Sequence, residues 1–102
     1  MSIVFRPLGK VREIVQAIGF DISYAYEDLV FSDHSLFILQ FDDTILQKIN
    51  LFFNSDCIET EADRVKQLLI TEASIAGFEI DAKGTFSLNQ KEGAEELEVR
   101  FN

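Results

Sequence analysis

Tryptophan is absent from this chain, and cysteine, histidine, methionine and proline each occur once in 102 residues. The lone cysteine, Cys57, allows no intramolecular disulfide, so nothing points to an oxidising compartment. One cysteine and the one histidine, His34, are poor supply for a zinc site, and no run of acids matches the calcium-binding loop, so no metal is expected. Basic residues are scarce as well: nine Lys and Arg stand against eighteen Asp and Glu, for a net charge of −9. Such a surface repels polyphosphate, which excludes DNA and RNA as expected partners. Glycine is too sparse, at positions 9, 19, 77, 84 and 93, to build a phosphate cradle, so no nucleotide cofactor is implied. No apolar run approaches a membrane span, and Met1 to Lys10 lacks the basic start, apolar run and small-residue cleavage site of a signal peptide. The expected location is therefore cytoplasmic, without membrane association.

What the chain has in quantity is apolar and aromatic mass. Hydrophobic residues make up 47% of it, with ten Phe and two Tyr, which is ample for one core without disulfide or metal staples. No interior segment reads as a linker, so one domain over residues 1–102 is expected.

Val11, Ile14, Val15 and Ile18 recur at helical spacing behind Pro7 and ahead of Gly19, which predicts a helix over residues 7–18. The basic trio Arg6, Lys10 and Arg12 on or near it reads as a solvated face. Four strands follow, at Phe20–Tyr26, Leu29–Ser32, Leu36–Phe41 and Ile45–Phe53, separated by short Asp- and Ser-bearing turns. The fourth also fits helical spacing through Ile45, Leu46, Ile49, Phe52 and Phe53. A second helix is predicted from Glu59 or Thr60 to Ala76, with Thr60 and Asp63 as its cap and Gly77 as its stop. Then Phe78, Ile80 and Ala82 alternate with acids, Lys83-Gly84 reads as a turn, and Phe86 and Leu88 continue the alternation. That predicts a hairpin. After a loop at residues 90–94, Leu97, Val99 and Phe101 form a last half-exposed strand.

The expected fold is thus two-layer α+β: a six- or seven-stranded, mainly antiparallel sheet with two helices on one face, in the order α-ββββ-α-ββ-β. This order is loosely similar to that of the small dimeric chaperones of bacterial type III secretion, an architectural likeness that no motif carries and that lacks their third helix. Ala17-Ile18-Gly19-Phe20-Asp21-Ile22 also echoes Ile75-Ala76-Gly77-Phe78-Glu79-Ile80. Either a duplicated unit or a shared way of leaving a helix through glycine accounts for it.

Chemistry is hard to find. His34 lies beside Ser32, Asp33 and Ser35, but a tight turn exposes such side chains where a catalytic triad needs enclosure. The carboxylate pairs Glu27 with Asp28, Asp42 with Asp43, and Glu95 with Glu96 sit in turns or loops, and Glu59, Glu61 and Asp63 open a helix, all places where acids have local structural roles. Cys57 precedes that helix, and its acidic neighbours disfavour a thiolate. No catalytic residue is assigned, and an enzyme is not the favoured reading.

The informative feature is an excess of apolar residues in the central strands. Leu36-Phe37-Ile38-Leu39-Gln40-Phe41 and Leu51-Phe52-Phe53 are apolar on both parities, whereas two helices of about three and five turns cover one face of a sheet this wide. Phe37, Leu39, Phe41 and Phe52 are therefore the candidate interface, and a homodimer is the simplest partner. Burying about 400 Å² a side is worth on the order of 10 kcal/mol before association entropy. The acidic surface adds a basic protein as a possible partner. The competing class is a small-molecule-binding domain or minor enzyme, with a pocket between sheet and helices near Tyr24, Tyr26 or His34.

Overall fold

In the computed structural model, which describes residues 7–42, 44–45, 47–90 and 97–101, the elements run α1 (Leu8–Ala17), β1 (Ile22–Tyr26), β2 (Leu29–Ser32), a 3₁₀ turn (Asp33–Ser35), β3 (Phe37–Phe41), β4 (Lys48–Asn54), α2 (Glu59–Ile75), β5 (Glu79–Gln90) and β6 (Leu97–Phe101). Arg6, Asp43, Leu46 and the expected loop after Gln90, with Glu95 and Glu96, lie outside the described residues. The strands form one mixed, curled sheet in chain order, β1-β2-β3-β4-β5-β6. Every neighbouring pair is antiparallel except β4 and β5. That parallel pair needs a crossover, and α2 supplies it.

The α+β class and the two helices match the sequence-based expectation, while the strand count resolves to six. Lys83-Gly84 is not a hairpin turn. β5 stays extended through it, in register with β4 from Lys48 opposite Glu79 to Asn54 opposite Phe86, with one irregularity where Phe52 passes to Gly84. A tight primed turn wants positive φ at both central residues, and only Gly84 has it, at 153°. The extra residue, Lys83, is absorbed as a bulge, a device that bends a strand and strengthens its twist.

Both helices end through the same backbone motif. The Gly19 and Phe20 amides donate to the carbonyls of Gln16 and Val15 at 3.0 and 3.1 Å, and Gly77 and Phe78 donate likewise to Ser74 and Ala73 at 3.1 and 2.8 Å. Glycine is required at the left-handed positions, φ 92° and 86°, and each following Phe packs onto the core. This capping chemistry is sufficient to explain the sequence echo, since the strands that follow are unlike: β1 is a sheet edge and β5 is interior. The predicted Thr60 cap does not form. Ile58 holds the cap position of α2 with no side-chain bond, which puts Thr60 inside the first turn.

The main core fills the space between helices and sheet. Val11, Ile14 and Val15 of α1 and Val65, Leu69 and Ala73 of α2 pack on Val30, Phe37, Leu39, Phe41, Ile49, Leu51 and Phe53. Phe37 stands edge-on to Phe20 and Phe53, at centroid distances of 5.6 and 6.3 Å. Two residues outside this cluster, Ile38 and Phe86, are nevertheless completely buried. Ile38 pairs with Phe52, and Phe86 pairs with Asn54 and Phe101, so both belong to the face away from the helices.

The chain therefore has apolar packing on both sides of its sheet. Replacing Leu51 by Ala is expected to cost about 2–5 kcal/mol and replacing Phe86 by Ala about 3–5 kcal/mol, read by denaturant unfolding. A near-neutral Phe86→Ala would remove the second packed layer.

Candidate functional site

Strand register decides which side chains face away from the helices. Tyr24 opposes Phe31, Phe31 opposes Ile38, Ile38 opposes Phe52 and Phe52 opposes Gly84. Directly opposed residues share a face, so an apolar row crosses five strands on the side that carries no helix. Tyr24 and Tyr26 stack nearly parallel, 6.4 Å apart at 7°, and Tyr24 meets Phe31 at 5.9 Å. At the far end Phe101 of β6 leans on Phe52 at 4.5 Å. Tyr24, Tyr26 and Phe101 remain 58%, 56% and 44% exposed, and Phe31 and Phe52 are half-buried.

Beside this row runs a polar one, again fixed by register: Tyr26, Leu29, Gln40, Asn50 and Asp81. Gln40 Nε2 donates to Asp28 Oδ2 at 3.0 Å, and Asn50 Nδ2 donates to Gln40 Oε1 at 3.3 Å. The far side of the Asn50 amide is unsatisfied: its Oδ1 is buried and accepts no hydrogen bond among the described residues. A buried acceptor without a donor carries a desolvation cost of about 1–3 kcal/mol. Asp81 closes the row, clamped by Lys83 at 2.8 Å and Lys48 at 3.3 Å. The Lys83 ammonium first, and Lys48 second, hold its carboxyl below the usual aspartate range.

The sequence-based interface candidates divide between the two faces of the sheet. Phe37, Leu39 and Phe41 belong to the buried core beneath the helices and are not available as an interface. Phe52 alone of the four lies on the open face. The error is one of register: Phe37 opposes Phe53, so Phe52 is on the opposite side of the sheet from Phe37, Leu39 and Phe41. The missed residues are Tyr24, Tyr26, Phe31 and Phe101. Their signal was present in the alternation of Leu97, Val99 and Phe101 and in the shared parity of the two tyrosines, but the partner strand and its offset were needed to place them.

The alternative pocket does not assemble. Tyr24 and Tyr26 are on the face away from the helices, and His34 is exposed on the 3₁₀ turn at φ 59°. The neighbouring Ser32 hydroxyl is engaged by backbone, accepting from the Phe37 amide at 3.0 Å and donating to the Asp33 carbonyl at 3.3 Å, so this turn is held together structurally. A cleft of about 410 Å³ does exist elsewhere, between the start of α2 and the end of β4, lined by residues including Phe53, Asn54, Cys57, Lys66 and Gly84. Cys57 Sγ sits 3.6 Å from the Ile58 carbonyl. Burial first, and the Glu61 carboxylate second, push its thiol pKa up. Asp42 is an acid of local structural use, its Oδ1 accepting from the Thr44 hydroxyl at 2.6 Å and from the Thr44 and Ile45 amides. No group of three or more metal-ligating side chains occurs among the described residues, and no described helix is long and apolar enough to cross a membrane.

No protein-family model matches the chain, and neither a curated protein nor a solved structure is significantly similar to it. Whatever is said of function therefore rests on the residues themselves.

Two outcomes follow from the electrostatics. Asp81 is expected to titrate below an ordinary aspartate by carboxyl NMR, and Lys83→Ala to raise it toward the usual value. Because its folded pKa is the lower one, Asp81 contributes stability above its unfolded pKa and loses it as pH falls through the folded pKa. The stability gap between the natural chain and Asp81→Asn should accordingly close in acid. Cys57 should react with iodoacetamide at pH 7.5 more slowly than a free cysteine, since the thiolate is the nucleophile.

Proposed function

We propose that this chain is a non-enzymatic protein-interaction module of the cytoplasm that works as a homodimer, two copies meeting through the open sheet face. The observation that carries the reading is the set of exposed or half-buried aromatics Tyr24, Tyr26, Phe31, Phe52 and Phe101 on the side with no helix, seated on the buried Ile38 and rimmed by polar groups. Exposed apolar strips of this kind mark interaction surfaces more often than they occur by chance on monomers. Tyrosine and phenylalanine suit such a surface, since each buries a large area for few rotatable bonds.

Two further features favour a second copy on this face. A two-fold contact is self-complementary, so one patch supplies both halves. Asp81 with Lys48 and Lys83 puts both signs of charge beside the strip, which spares two chains of net charge −9 from a purely repulsive encounter. A second reading, a small-molecule binder, draws its support from the cleft at the start of α2, whose volume of about 410 Å³ falls in the range of ligand sites.

Equilibrium sedimentation at micromolar concentration separates these. The dimer reading expects twice the 11.6 kDa of one chain, and Phe52→Asp should return it to one. Phe101→Ser, at the end of an edge strand, tests the same contact with less disturbance of the fold. A monomeric natural chain that is instead stabilised against heat by a metabolite, as mass action requires of a ligand, would transfer the assignment to the cleft.

A further inference from the structure

The two edges of the sheet are defended differently. β6, Leu97–Phe101, carries Glu98 and Arg100 within the strand. β1, Ile22–Tyr26, reads Ile-Ser-Tyr-Ala-Tyr: no charge, no proline, and exposed at four of its five residues. Among the described residues β1 pairs with β2 alone, so the backbone amides and carbonyls of its outer edge face away from the sheet. Natural sheets block such edges with lysine, proline, bulges or a covering element, because an unguarded edge accepts another strand. The one irregularity in β1, between Ile22 and Tyr24, leaves Tyr24 to Tyr26 in regular extended form.

Charge selects what is accepted. From Glu13 to Gln47 the sequence contains seven acidic residues and no lysine or arginine. Asp21 precedes β1 and is ion-paired to Arg12 at 3.3 Å, while Glu27 and Asp28, in the turn that follows β1, are the acids this edge presents. A basic strand meets opposite charge there.

We infer that the β1 edge is a docking site for an extended, Arg- or Lys-rich segment of a partner protein, which adds to the sheet as a further strand. Backbone hydrogen bonds give the affinity and Glu27 and Asp28, next to the edge, give the selectivity. The site is lateral to the open face, since strand pairing occurs in the plane of the sheet and the dimer contact lies above it, and it does not depend on that dimer.

The probe is a fluorescent seven-residue peptide alternating arginine and valine, titrated by anisotropy against the full chain. Three comparisons define the result: the same peptide with every backbone amide N-methylated, a glutamate-for-arginine version, and the parent peptide against Glu27→Lys. The inference expects the parent to bind and to weaken about tenfold or more as salt rises from 50 to 300 mM, because exposed charges are screened over that range. N-methylation, which keeps the charge and removes the strand donors, should cost at least about tenfold. The acidic peptide should not bind, and Glu27→Lys should weaken the parent several-fold. Amide NMR shifts on binding should concentrate at residues 22–26. Equal binding of the N-methylated peptide would reduce the site to non-specific charge attraction and overturn the inference, as would absence of binding by the parent or shifts centred elsewhere. Running the parent peptide against Phe52→Asp keeps a failed dimer distinct from a failed edge.

Discussion

The antiparallel register of β3 and β4 is the constraint from which the rest of the molecule follows. Side chains alternate across a strand, so once Phe37 lies opposite Phe53 and Leu39 opposite Leu51, every apolar residue of both strands is committed to one side or the other. Six of them, Phe37, Leu39, Phe41, Ile49, Leu51 and Phe53, go beneath the helices, and Ile38 and Phe52 go to the opposite face. A slip of one residue in either strand would carry that strand's core residues into the open and bring Gln40 or Asn50 under α1 and α2. Burying an amide there without partners costs a few kcal/mol per group, which together with the lost apolar burial makes the register unambiguous.

That register also sets how much apolar surface the second face must manage. Curling manages part of it. The bulge around Lys83 and Gly84 bends β5, and the pairing of β5 with β6 brings Phe101 onto Phe52 while Phe86 becomes fully buried. At the β1 end, despite an irregularity between Ile22 and Tyr24, Tyr24 and Tyr26 are left more than half exposed. The sheet thus covers itself on one side and stays open on the other. A hydrophobic excess in the central strands has been converted into an aromatic strip at one end of the second face.

Much of this was legible in the residues. The two helices, their glycine exits and the positions of all six strands follow from periodicity and capping, because those signals are local. The excess of apolar residues in β3 and β4 was legible too, and so was its implication that one face would remain uncovered. What the residues did not disclose was non-local. Assigning Phe52 to the same side as Phe37, Leu39 and Phe41 requires knowing an offset between two strands, and a one-residue difference there inverts the answer. Reading Lys83-Gly84 as a turn failed for a related reason: β5 has strand partners on both sides, and the pairing outweighs a dipeptide's turn preference. The tyrosines were placed in a helix-side pocket because their shared parity fixes that they face one way and leaves open which way that is.

The distribution of charge gives the two surfaces of the open side different characters. No lysine or arginine occurs between Arg12 and Lys48; Lys48 and Lys83 meet Asp81 near β4 and β5, and Arg12 meets Asp21 just ahead of β1. Apolar area is indifferent to the identity of what covers it, whereas charge is not. At the β4–β5 end, mixed signs leave shape and apolar contact to decide, which favours a self-complementary partner. At the β1 end, Asp21 is ion-paired to Arg12 and Glu27 and Asp28 stand beside an open strand edge, so in the proposed docking it is these two carboxylates that select a strand of the opposite sign.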